Sequence, residues 1–276
     1  MSETLLPARP RQGMRQALEG LAWSGAVLAV LIAAWWLAAW LARLSGDASI
    51  AANLPFPGDV AATIQLYAPT LAEAAWSTGS RAVLGFLIGL IVGTAFGVVM
   101  IQSRWIEYGV VPYILASQMI PLIALVPILR AVLRDADVVR LYVSGYVTFF
   151  IVSMAVLRGL KDARPVALEL MESLNASRLT TLRYLRLPSA LPYIFTGLRV
   201  AAPLSLIGSI LVDFLGAQSG IGYILIASLS LGESQSGMLW AALLISMALG
   251  LLYTRVIVFL ERRLCFWQPA FRGSSG

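Results

Sequence analysis

Six stretches of this sequence are apolar for about 20 residues or more, which is the length that an α-helix needs to cross the hydrocarbon core of a bilayer. They lie at about 21–44, 76–101, 108–130, 138–160, 193–215 and 238–260. Hydrophobic residues make up 59% of the chain and charged residues only 12%, against about 25% charged residues in a soluble domain. So few charges could not cover so much apolar surface in water. The sequence therefore predicts an all-α, polytopic membrane protein with six transmembrane helices.

The segments outside these stretches are short. The first stretch is longer than the apolar region of a secretory signal peptide, about 7–15 residues, so we expect it to remain as a spanning helix after an N-terminal segment, 1–20. The connection 51–70 is polar and proline-rich. The Gly/Ser-rich stretch 216–237 is too broken for a full span and predicts a short re-entrant or interfacial helix. The tail is 266–276, and its terminal GSSG is typical of an expression linker.

The distribution of basic residues predicts the orientation. If the six helices alternate, 15 of the 20 Lys and Arg residues fall on the side of the N-terminus. The other side carries Arg43, Arg81, Arg130, Arg134 and Arg140, and the last three are a local exception there. Because cytoplasmic loops carry the excess of basic residues, we expect both termini and the polar segment 161–190 to be cytoplasmic.

Small residues and prolines mark positions inside the expected helices. Four glycines recur every four residues in the second stretch, at positions 85, 89, 93 and 97. They form one stripe, along which a neighbouring helix can approach closely. Pro112, Pro121 and Pro127 interrupt the third stretch and Pro203 the fifth, and such prolines kink or break a helix.

The polar segment 161–190 has the signals of a helix, a sharp turn and a second helix. Pro165 stands where the first turn of a helix tolerates proline, with Asp162 as a candidate cap before it. Asn175 tolerates the left-handed conformation that closes many helices. Ser177 can then cap a second helix, which is expected to end at Pro188. The residues alone also fit a solvated loop that carries cytoplasmic arginines.

The spacing of this segment resembles the cytoplasmic EAA loop of ABC importer permeases, which runs Glu-Ala-Ala, three residues, Gly, nine residues, an aliphatic residue, one residue and Leu-Pro. The matching positions here are Glu169, Leu170, Met171, Asn175, Leu185, Leu187 and Pro188, without a gap. Leu170 and Met171 replace the alanines, and Asn175 replaces the glycine. Further stretches resemble the nitrate/sulfonate/taurine-type branch: 80–98, 121–129, 175–201, 213–225 and the ending ERRL at 261–264.

This resemblance implies a type I ABC importer (MetI-like) permease fold over residues 21–265, in a bacterial inner membrane. The implied partners are two copies of an ABC ATPase subunit, a second permease subunit in a homodimer, and a periplasmic or lipid-anchored solute-binding protein. ATP and magnesium would be bound by the ATPase, and this chain would hold no cofactor. The implied ATPase-coupling residues are Val166, Glu169, Leu170, Met171, Glu172, Asn175, Arg178, Leu187 and Pro188.

Several kinds of chemistry are excluded by residues that the sequence lacks. The chain has no histidine and one cysteine, Cys265, so a disulfide, a Cys/His zinc site and His-dependent nucleophilic catalysis cannot form within it. It has no G-x-x-x-x-G-K-[ST] phosphate-binding loop, and its only lysine, Lys161, precedes an aspartate. We therefore expect a permease subunit that is not an enzyme, and the scattered charges give no basis for nucleic-acid binding.

Three residues are candidates for the translocation path or its gate. An ionisable residue inside a span is a functional candidate by default, and Asp213 lies near the outer end of the fifth stretch. It could act at a gate or form a structural ion pair with a basic residue such as Arg81. Gln118 and Met119, just before Pro121, are candidate lining residues.

Two other functional classes make different demands on the sequence. An ion-coupled secondary transporter predicts internal repeats or buried acidic relays near the bilayer midplane, and the chain shows neither. An integral-membrane enzyme requires a cluster of histidines, cysteines or acids that is also missing from the sequence. The importer permease is therefore the preferred prediction.

Overall fold

The computed structural model describes residues 11–266, so the predictions for residues 1–10 and for most of the tail lie outside the described residues. Between these limits the chain is helical. The helices are α1 (Arg11–Leu44), α2 (Ala48–Asn53), α3 (Pro57–Leu66), α4 (Ala68–Ile101), α5 (Arg104–Ser117), α6 (Leu122–Leu133), α7 (Ala136–Lys161), α8 (Pro165–Ser173), α9 (Arg178–Thr181), α10 (Leu187–Phe214), α11 (Ile221–Leu231) and α12 (Ser236–Leu264). The first helix thus begins at Arg11 rather than at about residue 21.

Five helices within the described residues are long and apolar enough to cross a membrane, and a sixth span is counted if α5 and α6 are taken together. The predicted interruption of the third stretch is confirmed at Pro121, where α5 and α6 meet at 93° in place of a single straight helix over 108–130. The break follows from Pro121, which has no backbone N–H and begins α6 as its N-terminal cap residue. Pro112 and Pro127 lie inside α5 and α6, which continue through them.

The helix α7 is central and packs against α4 and α10. The predicted glycine stripe of α4 faces α7 and is buried along its length. A Cβ atom on Gly85 would lie 2.6 Å from the carbonyl oxygen of Leu141, and one on Gly93 would lie 2.7 Å from that of Phe149. Both distances are shorter than a van der Waals contact, so the absence of side chains sets the spacing of these two helices.

The prediction that Pro203 interrupts the fifth helix is wrong. Pro203 lies inside α10, which runs without a break from Leu187 to Phe214. Near Pro203 this helix packs on α7, where the hydroxyl of Ser144 donates a 2.9 Å hydrogen bond to the carbonyl of Ser205. Prolines are tolerated in membrane helices that pack against neighbouring helices.

The connections between the long helices are themselves helical. The polar stretch 51–70 contains the second half of α2 and all of α3, and is not an irregular loop. Asp47 caps α2, and hydrogen bonds from Ser49 and Ile50 hold the pKa of its carboxyl below the usual value. The prediction of a short helix within 216–237 is confirmed by α11, which has 11 residues.

Candidate functional site

The polar segment forms the predicted helix and sharp turn. Pro165 is the first residue of α8. Asn175 has a φ angle of 51°, and the N–H groups of Asn175 and Ala176 bond to the carbonyls of Glu172 and Met171, both at 2.9 Å. This is the Schellman pattern, in which a left-handed residue closes the helix. Asparagine thus fulfils the role that the family pattern gives to glycine.

Three large apolar side chains form an exposed stripe on one face of the segment. Val166, Leu170 and Leu174 recur every four residues and are exposed by 76%, 59% and 68%. Residues at this spacing lie on the same side of a helix. Glu169 and Glu172 are also exposed, whereas Met171 is partly buried. The segment therefore presents an apolar stripe with two carboxylates beside it, a surface suited to a partner protein.

The prediction of a second loop helix that ends at Pro188 is wrong. The helix α9 starts at Arg178 behind Ser177, whose hydroxyl accepts a 3.2 Å hydrogen bond from the N–H of Thr180. It continues through a π-helical turn, Leu182–Arg186, directly into α10. The wider π turn lets the chain pass Pro188, which lacks an N–H group and crowds the preceding turn. Residues 178–214 are thus one helical rod of 37 residues.

Two polar contacts tie this rod to the end of α7. Arg186 donates a 3.2 Å hydrogen bond to the carbonyl of Leu160, and the hydroxyl of Tyr193 donates one of 2.7 Å to the carboxylate of Asp162. Asp162 therefore follows α7 and binds α10, and it does not cap α8 as predicted. Leu187 and Pro188 are partly buried at the start of α10.

A second polar cluster lies at the opposite end of the helices and is almost completely buried. Asp213 on α10 is 0% exposed and forms an ion pair with Arg140 on α7, which is 1% exposed. The hydroxyl of Thr78 on α4 donates a 2.5 Å hydrogen bond to Asp213. It also accepts one of 2.9 Å from the N–H of Ile221, the first residue of α11. Four helices therefore meet at one carboxylate.

Asp213 thus has a basic partner, as one of the two predicted alternatives required, but this partner is Arg140 and not Arg81, the example that the sequence suggested. Arg81 bonds instead to Asp137 at 3.0 Å. Asp137 also pairs with Arg140 at 2.6 Å, and Arg140 donates a 2.6 Å hydrogen bond to the carbonyl of Ser219. The sequence prediction counted Arg140 only as an outer basic residue. Its spacing of three residues from Asp137 at the start of a span was the available signal.

The other candidate residues are distributed along the chain. Gln118 and Met119 lie at the break between α5 and α6 and are exposed, Met119 by 82%. Arg199 on α10 pairs with Glu261 on α12 at 2.7 Å. Burial, together with the Glu261 carboxylate, raises the pKa of the Cys265 thiol. A buried thiol with a raised pKa is a poor nucleophile.

Comparison with known proteins identifies the family of the chain. The family model of the binding-protein-dependent transport system inner membrane component matches residues 85–265. The chain belongs to this family. It is 31% identical over 212 residues to a probable ABC transporter permease protein of Haemophilus influenzae, which covers 75% of this chain and 85% of that protein.

Further relatives confirm the expected branch. The chain is 30% identical over 185 residues to the formylaminopyrimidine transport permease protein ThiX of Halalkalibacterium halodurans, covering 67% of this chain and 73% of that one. Other similar permeases are named for aliphatic sulfonates, nitrate and taurine. In fold, the chain resembles a chain of the MetNI methionine ABC transporter in inward-facing conformations, with a TM-score of 0.61 and 17% identity over 71% of this chain and 96% of that chain.

The protein is therefore an ABC importer permease with the MetI-like fold, a multi-pass protein of the inner membrane.

Proposed function

We propose that the chain forms the translocation path for a small solute that a periplasmic or lipid-anchored binding protein delivers, and that a separate pair of ATPase subunits drives the transport. The observation that carries this proposal is the exposed stripe of Val166, Leu170 and Leu174 on α8. Its side chains are apolar, but α8 follows the charged end of α7 and lies outside the long apolar helices. Exposed apolar stripes of this kind mark surfaces that another protein covers.

The proposed mechanism transmits force from α8 to the membrane helices. The ATPase pair binds α8, which is joined to α10 by the Asn175 turn and the continuous rod 178–214. Since no flexible loop separates α9 from α10, a displacement of the rod's cytoplasmic end tilts its membrane part. ATP and magnesium remain in the ATPase, and the permease contributes the lever and the path.

Symmetry and selectivity follow from the same proposal. Two copies of the permease, each with one α8, fit two identical ATPase subunits in a symmetric assembly. Both termini are proposed to be cytoplasmic, on the side of α8.

The similar permeases are named for chemically different solutes, among them a formylaminopyrimidine and nitrate. This difference favours selection of the solute by the binding protein. Gln118 and Met119 are proposed to line the path at the break before α6.

The test is co-purification with an ABC ATPase subunit that is co-expressed with this chain from the same genome. The double variant Val166→Asp/Leu170→Asp should insert and dimerise normally but lose the ATPase. The matched control is Leu260→Asp/Leu264→Asp, which places the same two charges at exposed leucines four residues apart near the end of α12. Full retention of the ATPase by the double variant, or its loss in the control as well, contradicts docking on α8.

A further inference from the structure

The break between α5 and α6 deprives one backbone carbonyl of its usual partner. In a continuous helix the carbonyl of Ser117 accepts a hydrogen bond from the N–H four residues later. That residue is Pro121, which has no N–H. The N–H of Ile120 donates a 3.2 Å hydrogen bond to the Ser117 carbonyl, and the oxygen has a second lone pair for another donor. In a membrane helix, a neighbouring helix must supply that donor.

The donor comes from α7. The hydroxyl of Tyr146 donates a hydrogen bond to the carbonyl of Ser117, and its ring meets that of Phe150 edge-on, with the centroids 5.9 Å apart. The preceding residue, Gly145, packs directly against Gly89 of α4. The backbone of Tyr146 is therefore fixed within the closely packed pair of α4 and α7, and its hydroxyl fixes the end of α5 to this pair.

The residues that follow this contact are the ones proposed to line the path. Residues 118–120 are exposed, Met119 by 82%, and Gln118 comes directly after the bonded carbonyl. A cavity of about 310 Å³ separates part of α5 from α7, with Tyr113 and Tyr146 in its wall. Helices that are closely packed cannot shift without a clash, but this cavity gives the end of α5 room to move. The hydroxyl contact therefore decides where the break stands.

We propose that Tyr146 is a positioning residue of the translocation path, and that its hydroxyl holds the break with Gln118 and Met119 in place. This inference rests on the proposed function, since it requires that the break lines the path. Without the hydroxyl, the carbonyl of Ser117 loses its donor on α7, and the end of α5 is free to move into the cavity. Tyr146 would act through the break and would not contact the solute itself.

The experiment measures how fast a thiol at the break reacts with a charged methanethiosulfonate, which modifies only thiols that water reaches. The full-length chain is reconstituted in nanodiscs with an ABC ATPase subunit from the same genome, and modification is followed by mass spectrometry. Met119→Cys tests whether the break lies in a water-filled path. Ser117→Cys reports whether the end of α5 stays on α7. We expect Tyr146→Phe to accelerate the modification of Ser117→Cys about fivefold, the equilibrium shift that one net neutral hydrogen bond produces.

Two controls separate this role from a general effect on stability. Tyr142→Phe removes a hydroxyl one turn earlier on α7, from a side chain that is 55% exposed, and should leave the rate at Ser117→Cys unchanged. The native Cys265 is 0% exposed and should stay unmodified in every variant. Equal acceleration of Ser117→Cys and Cys265 by Tyr146→Phe would indicate a loosened fold and overturn the positioning role.

The remaining outcomes distinguish the inference from the proposed function. If Met119→Cys does not react in the chain that retains Tyr146, the path does not run past the break, and the positioning role fails with it. If Met119→Cys reacts readily but Ser117→Cys reacts at the same rate with and without the Tyr146 hydroxyl, the positioning role alone is overturned.

Discussion

The guanidinium of Arg140 on α7 forms an ion pair with the carboxylate of Asp213 on α10, and both side chains are almost fully buried. The pair is embedded in further polar contacts, from Thr78 on α4 and to the carbonyl of Ser219 before α11. Removing two charges from water is costly, and the cost is recovered only when geometry and hydrogen bonds are complete. The cluster therefore fixes the relative positions of four helices.

The first prediction concerns the stability of this pair. Asp213→Ala should lower the free energy of unfolding by about 3–5 kcal/mol, because it leaves the Arg140 charge buried without a partner. The double variant Arg140→Met/Asp213→Leu should recover most of the loss. Thermal unfolding of the purified chain in detergent measures both. Additive losses in the double variant would show that the two side chains do not act as a pair.

The same variants test the proposed gate. If Asp213 acts at an outer gate, the double variant should fold and bind the ATPase but transport solute more slowly, as measured by ATP-driven uptake into proteoliposomes. Wild-type uptake by the stable double variant would leave Asp213 with a structural role only.

The glycine stripe gives a second prediction. Gly93→Ala places a Cβ atom 2.7 Å from the carbonyl oxygen of Phe149, so the helices must move apart, at a cost of about 1–3 kcal/mol. Gly109→Ala on α5 is the matched control, because no atom lies within 4 Å of its added Cβ. The control should be neutral or stabilising by up to about 1 kcal/mol. Equal melting temperatures of the two variants would contradict close packing of α4 on α7.

Local rules of sequence predicted much of the fold. The apolar runs located the long helices, the glycine stripe identified the close contact of α4, and Asn175 marked the left-handed turn. These features depend on residues close together in the chain. The break at Pro121 was predicted, but its angle of 93° and the continuity of α10 through Pro203 were not, because the effect of a proline depends on which neighbouring helix satisfies the backbone.

The polar contacts were harder to predict than the helices. Asp213 was singled out correctly as a buried charge, but its partner Arg140 is 73 residues away, and an equally basic Arg81 lies in the neighbouring helix. Only the packing of α7 between α4 and α10 decides between them. The burial of Arg140 also accounts for one of the three arginines that the count of basic residues left as an exception.

The third prediction tests Asn175. Asn175→Gly should leave stability and ATPase binding unchanged, because glycine adopts a positive φ angle readily. Asn175→Val should cost about 1–2 kcal/mol, since a β-branched residue is strained at a φ angle of 51°. Co-purification of the ATPase and the melting temperature are both measured. Identical behaviour of the two variants would contradict the left-handed turn.

The last prediction separates ATP hydrolysis from transport. Glu169→Arg reverses an exposed charge beside the α8 stripe, and Leu170→Pro removes a backbone hydrogen bond inside α8, at a cost of about 3 kcal/mol. Both chains should insert and dimerise, but solute uptake per ATP hydrolysed should fall in proteoliposomes that contain the ATPase and the binding protein. Glu73→Arg is the matched control, because it reverses an exposed charge at the opposite end of α4 and should leave ATPase binding intact. Since the rod 178–214 follows α8 directly, unaltered uptake per ATP in both α8 variants would mean that force enters the permease elsewhere.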